Sequence, residues 1–235
     1  MHRFYLPQEL NKEILVVRDR SVIHQIKDVL KIRKGEQAAF FSGAPEDLGF
    51  DFVFELKNIE AGSAAFMLRG KLENTREPSK KLILYQSLIK KDKFELVLEK
   101  AVEVGVSEIV PVISARSEKK SLNTERCAAI LKEASEQSGR AIIPKLHKVL
   151  SFERAVSQAQ ASGARTYFIS TSEKENMIRG AGDRQINLFV GPEGGWEEQE
   201  IFAAGRANFE IISLGRLTFR SETAAVVAAY TLLWG

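Results

Sequence analysis

The chain has 235 residues, 44% of them hydrophobic and 28% charged, with a formal net charge of +3. That length carries one large domain or two smaller ones, and the balance is that of a soluble globular protein rather than a disordered or fibrous one. The opening residues Met1–Pro7 contain no apolar run long enough for a signal peptide, and the longest mostly apolar stretch, Ala224 to Trp234, falls short of the roughly 20 residues that a membrane span needs. A cytoplasmic protein with no membrane partner is therefore expected. With a single cysteine, Cys127, no internal disulfide can form and no Cys-rich zinc site exists. Its neighbours Ala128, Ala129 and Ile130 suggest a helix, where a lone cysteine acts as a small apolar residue. His2, His24 and His147 are too scattered to suggest a metal site, so no metal is expected.

Residues 1–73 read as β-rich. The short runs Ile14–Val17, Ala38–Phe41, Phe50–Leu56 and Ala64–Leu68 are separated by glycine or charged turns, and the third alternates cleanly. One helical patch lies near His24 to Leu30. Four or more short strands with one helical patch point to a small barrel. Here Arg18, Arg20, Lys27, Lys31, Arg33 and Lys34 face only Asp19 and Asp28, and a second basic cluster follows at Lys80, Lys81, Lys90, Lys91 and Lys93. Such clusters suit a phosphate backbone, although a solvated face explains them as well. The segment 74–80 is polar, contains Pro78 and lacks periodicity, which reads as a linker.

From residue 81 to 235 strands and helices alternate. Leu82 to Leu88 reads as a strand; Phe94, Val97, Leu98, Ala101 and Val102 recur at helical spacing until Gly105 ends the helix. Ile109 to Ile113 is a buried strand and Thr124 to Gly139 a long helix. A helix near 151–162 leads to the strand Thr166–Ile169, and Ile186–Val190 follows. A further helix begins at about Trp196, a strand at Phe209 to Leu214, and the last helix at about Ser221. This rhythm predicts a mostly parallel sheet with helices on both faces, whose ligands sit beyond the carboxyl ends of the strands.

Two loops leave strands at that edge. In the first, Gly191-Pro192-Glu193-Gly194-Gly195, the glycines let the backbone approach a ligand or take positive φ, or simply close a tight turn. The chain contains neither a G-x-x-x-x-G-K-[ST] nor a G-x-G-x-x-G motif. Glu193 lies in the loop, and Glu197, Glu198 and Glu200 fill the first helical turn, so a neutral or cationic ligand fits better than a phosphate. In the second loop, Leu214 to Ala225, Ser221 is a candidate N-cap and Glu222 suits the first turn. Arg220, just before that helix, either pairs with Glu222 or offers its fork of donors to a phosphate or an oxyanion. Ala224, Ala225, Ala228 and Ala229 permit close helix contact, in a core or in a dimer.

These loops, in this order and spacing, resemble the ribosomal small-subunit RNA uridine-N3 methyltransferase family, within the knotted superfamily named after the methyltransferases SpoU and TrmD. The resemblance spans nearly the whole chain: His24–Lys31 with Lys34-Gly35-Glu36, Lys90–Lys93 with Glu99–Val106, Glu136–Arg140, Val190–Trp196, and Leu214-Gly215 through Arg220-Ser221-Glu222-Thr223-Ala224. Each motif is weak alone, but five in order are specific. Two departures stand out: Leu217 occupies the place of a usual arginine, with Arg216 one position early, and Lys31 stands where the first signature ends in arginine.

The resemblance implies a fold of class α/β: a PUA-like amino-terminal β-barrel (1–73) that binds RNA, a linker (74–80), and an α/β trefoil-knot methyltransferase domain (81–235). It also implies a homodimer. The cofactor would be S-adenosyl-L-methionine, held near Ile169, Gly191, Glu193, Gly194, Gly195, Leu214, Gly215, Leu217, Phe219, Thr223 and Ala224. The substrate would be ribosomal RNA within the small subunit, gripped by His24, Lys27, Lys31, Arg33 and Arg140. Arg220 is the candidate for stabilising the charge that develops on uridine when N3 loses its proton, and Glu222 the candidate base. N3 lies on the Watson–Crick edge, so the target must be unpaired or flipped out. Competing readings are a knotted methyltransferase acting on a ribose hydroxyl or another base, a non-catalytic RNA-binding protein, and, third, a nucleotide hydrolase, which the missing phosphate-loop lysine disfavours.

Overall fold

The computed structural model describes residues 1–60, 62–173, 175–180 and 182–235. In its first unit, Met1–Glu77 together with Ser135–Ile142, the four predicted apolar runs are strands. They are β2 (Ile14–Val17), β3 (Gln37–Phe41), β4 (Phe50–Glu60) and β5 (Ser63–Glu73), preceded by β1 (Arg3–Tyr5), too short to show an alternation. Their hydrogen-bonded order is β1-β3-β4-β5-β2, with β1 parallel to β3 and the remaining pairs antiparallel. Register shifts at Val53/Phe54 and Leu56/Asn58 bend the long β4–β5 ladder. Its concealed face is aromatic: Phe40 packs its ring 5.0 Å from Phe66, 5.5 Å from Phe4 and 5.7 Å from Phe54. Helix α1 (Arg20–His24), capped by the Asp19 carboxylate on the Ser21 and Val22 amides, runs into a π-turn at Gln25–Val29 and buries Val22 and Ile26. Lys31 follows in left-handed backbone, φ 53°, which ends the turn.

The second unit, Pro78–Ala134 and Ile143–Gly235, carries the predicted alternation. In chain order it contains β6 (Lys81–Ser87), α2 (Lys91–Val104), β7 (Glu108–Ile113), α3 (Thr124–Ser138, its last turn belonging to the first unit), and the two-residue strands β8 (Lys145–Leu146) and β9 (Leu150–Ser151). There follow α4 (Phe152–Ala161), β10 (Arg165–Ile169), β11 (Gln185–Val190), α5 (Glu198–Arg206), β12 (Glu210–Ile212) and α6 (Ser221–Trp234). All pairings among these strands are parallel, in the order β12-β10-β11-β6-β7-β8, with β9 also on β7. The strands are near-continuous apolar runs because both faces are covered. Leu82, Leu84, Ile186, Leu188 and Val190 pack with α2, α3 and α6, among them the buried Cys127; Ile83, Tyr85 and Phe189 turn to the opposite core with α4 and α5.

Helix α2 buries the predicted Phe94, Val97, Leu98, Ala101 and Val102, and Gly105 closes it at φ 102°. Two boundaries move. Helix α5 begins at Glu198 rather than near Trp196, because Glu197 and Glu200 form a capping box that sets Glu197 as N-cap. Strand β12 is shorter than Phe209–Leu214, since Phe209 joins the core and Ser213 bridges Met177. No helix of the described residues is long and apolar enough to cross a membrane.

Candidate active site

In a parallel sheet every strand points its carboxyl end to the same edge, so loops distant in sequence meet there. The segments after β6, β7, β10, β11 and β12 converge on a cavity of about 760 Å³, a size usual for small-molecule sites.

The loop after β11 is fixed by its neighbours. The Trp196 indole N–H donates to the Ile169 carbonyl at 2.8 Å, and its ring stacks 4.6 Å from Phe168. That ring lies against Gly191, where a Cβ would come within 3.0 Å of it, so only glycine fits. Gly195 turns the chain at φ 69°, its N–H donating to the Pro192 carbonyl at 2.9 Å. From the β7 loop, Arg116 donates to the Gly194 carbonyl at 2.8 Å. Glu193 accepts the Lys90 amide at 3.3 Å. After β12, Gly215 takes φ 119° and its N–H donates to the Ser213 hydroxyl at 3.1 Å.

Helix α6 starts at the cavity. Arg220, not Ser221, is its N-cap residue; it is exposed, lines the cavity and forms no ion pair among the described residues. Ser221 is the first helical residue, and its hydroxyl donates across to the Gly191 carbonyl at 2.5 Å instead of capping the helix. Glu222 is buried and pairs with Lys93 of α2 at 3.5 Å. The expected alternative pairing of Arg220 with Glu222 is therefore not made.

Of the residues expected around the cofactor, Ile169, Gly191, Glu193, Gly194, Gly195, Leu214, Gly215, Leu217, Phe219 and Ala224 line the cavity, as do Arg220 and Glu222. Thr223, exposed on α6, does not. Leu217 is 78% exposed, and Arg216 beside it also lines the cavity. His24, Lys27, Lys31 and Arg33 are exposed in the first unit, His24 with Asp28 at 2.8 Å. Arg140 departs from expectation. Its guanidinium is buried and bonded to both carboxylate oxygens of Glu77 at 2.8–2.9 Å, which leaves it unsuited to gripping a phosphate.

Lys93, Arg116 and the Ser221 hydroxyl were not assigned to the site from sequence. Lys93 stood as a member of a basic run and of one family motif, with no role of its own, and nothing local marks Arg116, since its partner lies 78 residues away. The lining carries Lys90, Lys93, Arg116, Arg216 and Arg220 against Glu173, Glu193, Glu198 and Glu222, a mixed field that suits a ligand bearing both charges. Among the described residues no group of three or more His, Cys, Asp or Glu side chains could hold a metal ion.

A parallel sheet with a cavity at its carboxyl edge, walled by glycine loops and an arginine without an ion pair among the described residues, is the framework of a ligand-binding α/β protein. The chain belongs to the family described as the RNA methyltransferase domain, whose model matches residues 75–233. More particularly, it is similar to proteins named ribosomal RNA small subunit methyltransferase E. The Rickettsia conorii protein is 28% identical over 97% of this chain and 93% of its own length. That of Mesomycoplasma hyopneumoniae is 34% identical over 66% of this chain and 70% of its own. The Neisseria gonorrhoeae protein, crystallised bound to S-adenosyl methionine, is 30% identical and superposes with a TM-score of 0.86 over 97% of this chain and 95% of that one.

Proposed function

We propose that this protein transfers the methyl group of S-adenosylmethionine to N3 of a specific uridine in small-subunit ribosomal RNA. The observation that carries the reading is the start of α6, which sets an unpaired arginine and a buried carboxylate two residues apart on one cavity wall.

The cavity fits the cofactor in two respects. Gly191, Gly194 and Gly195 keep side chains out of the loop, and the acidic and basic lining groups match a ligand that carries a sulfonium, an ammonium and a carboxylate. When bound, the cofactor supplies a methyl group already activated on sulfur. The chain's own residues then orient and manage charge. Backbone around Ile169, Gly191–Gly195 and Leu214–Phe219 holds the adenosine portion, and the uncommitted guanidinium of Arg220 meets the charge that spreads over the uracil carbonyl oxygens. Glu222 accepts the N3 proton, with Lys93 compensating its charge.

The first unit, read as a PUA-like barrel, grips the RNA through His24, Lys27, Lys31 and Arg33, which present donors to phosphates. The second unit is read as a trefoil knot. What supports this is the path of α6, which follows β12 at the sheet edge and returns to pack on α2, β6 and β11 in the middle of the sheet. The working form is read as a homodimer.

The test is nucleoside mass spectrometry on ribosomal RNA from cells lacking the protein, incubated with it and labelled S-adenosylmethionine, as free RNA and as small subunits. Labelled 3-methyluridine is expected. Label in a ribose or another base would overturn the specificity, and absence of both label and cofactor binding would overturn the enzyme reading. Arg220→Ala is expected to abolish transfer and spare cofactor binding.

A further inference from the structure

We infer that Gln86 and Ser221 are positioning residues: a buried hydrogen-bond relay from β6 through the first residue of α6 to the Gly191 carbonyl sets Arg220 and Glu222 relative to the cofactor loop. The inference rests on the methyltransferase reading above.

Gln86, near the carboxyl end of β6, is completely buried, and its amide Nε2 donates to the Ser221 hydroxyl at 3.0 Å and to the Ser87 carbonyl at 3.0 Å. The Ser87 carbonyl can only accept, so the amide must present its NH2 end to this spot. Its oxygen Oε1 has no partner among the described residues. Because Ser221 receives a hydrogen from Gln86, its own hydrogen is free to go to the Gly191 carbonyl at 2.5 Å. The direction of the whole relay therefore follows from one backbone carbonyl.

The relay joins three segments that no sequence-local interaction connects: Gln86 and Ser221 are 135 residues apart, and Ser221 and Gly191 are 30. Arg220 makes no side-chain cap bond and, among the described residues, the ion pair of Glu222 is with Lys93 at 3.5 Å, so the Ser221 hydroxyl between them is what ties the first turn of α6 to the cofactor loop. A helix start anchored by a buried side-chain bond keeps its flanking groups within the fraction of an ångström that transfer chemistry requires. Neither Gln86 nor Ser221 need touch the reacting atoms to do this.

The experiment compares full-length wild type with Ser221→Ala, Ser221→Thr, Gln86→Met and the Ser221→Ala/Gln86→Met double variant. Single-turnover methyl transfer from saturating cofactor, calorimetric affinity for S-adenosylmethionine, and amide hydrogen exchange over 191–195 and 220–224 are measured. Each single loss of the relay should slow transfer roughly tenfold or more, within the range that sub-ångström misplacement of positioned groups produces. Cofactor affinity should fall by less than transfer does. The double variant should be no slower than the worse single one, and Ser221→Thr, which keeps the hydroxyl, should recover most of the rate. Exchange should rise in both loops for both single variants, Gln86→Met included although it lies in neither. Additive losses, or an affinity loss with transfer unchanged, would overturn the relay. If wild type itself transfers no methyl group, the proposed function falls, and exchange still decides the relay: unchanged protection at 191–195 in Gln86→Met refutes it.

Discussion

Gly191→Ala is the sharpest perturbation of the cavity wall. The added Cβ would meet Trp196 Cε2 and Nε1 at 3.0 Å and Cδ2 at 3.3 Å. Gly191 does not lie in left-handed backbone, so the cost is one of space alone. The indole cannot yield cheaply. It stacks 4.6 Å from Phe168, sits 5.4 Å from Phe152, and holds the Ile169 carbonyl through its N–H. Overpacking of this kind costs about 1–3 kcal/mol. Losing the indole hydrogen bond adds about 1 kcal/mol. The variant should therefore unfold with about 2–4 kcal/mol less stability in urea, followed by tryptophan fluorescence. Cofactor affinity measured by calorimetry should drop together with stability, because the same movement disturbs Ile169 and the loop. Gly205→Ala serves as the control: it sits within α5 with nothing within 4 Å of its Cβ position and should stabilise by about 0.5–1 kcal/mol. Wild-type stability and affinity in Gly191→Ala would refute the steric reasoning.

Three further outcomes follow from the geometry. Lys93→Met leaves the buried Glu222 carboxylate without its ion pair and should cost about 1–3 kcal/mol, less than for a fully enclosed pair because Lys93 is one-third exposed. A Lys93→Met/Glu222→Gln double variant that regains none of this in urea melts would contradict the pairing. Burial pushes the Tyr85 hydroxyl up to about 12, so the unfolded chain, ionising near pH 10, sheds this proton before the folded one does. Stability should therefore be unaffected by this group below pH 10 and fall as pH rises from about 10 to about 12; Tyr85→Phe should flatten that limb in alkaline melts. Lys27→Ala and Lys31→Ala, both exposed, should each weaken RNA binding without altering stability beyond about 0.5 kcal/mol. Each should also reduce the salt slope by about one if its ammonium meets a phosphate, and an unchanged slope in filter binding would remove that lysine from the interface.

The residues alone determined a good deal. The apolar runs at Ile14–Val17 and Ile186–Val190 and the spacing of Phe94, Val97, Leu98 and Ala101 declare strand and helix because periodicity is a property of a few consecutive residues. Gly105 marks its helix end, and the two loops that wall the cavity were legible from glycine, proline and charge within a dozen positions. Strands β8 and β9 were not, since two residues carry no pattern and their bonds come from β7.

Only the tertiary structure decided what depends on segments far apart in the chain. The insertion of β11 between β10 and β6 belongs here, and it brings five loops to one edge. So does the commitment of Arg140 to Glu77, which buries a guanidinium that the family resemblance had assigned to gripping RNA. The hydroxyl of Ser221 had the chemistry of a cap and serves a carbonyl 30 residues away; Glu222 had a neighbour in Arg220 and pairs instead with Lys93. A side chain's reach is a few ångströms in space, whatever its distance in sequence. Which partner it meets is therefore set by strand order and helix packing, and no local pattern encodes these.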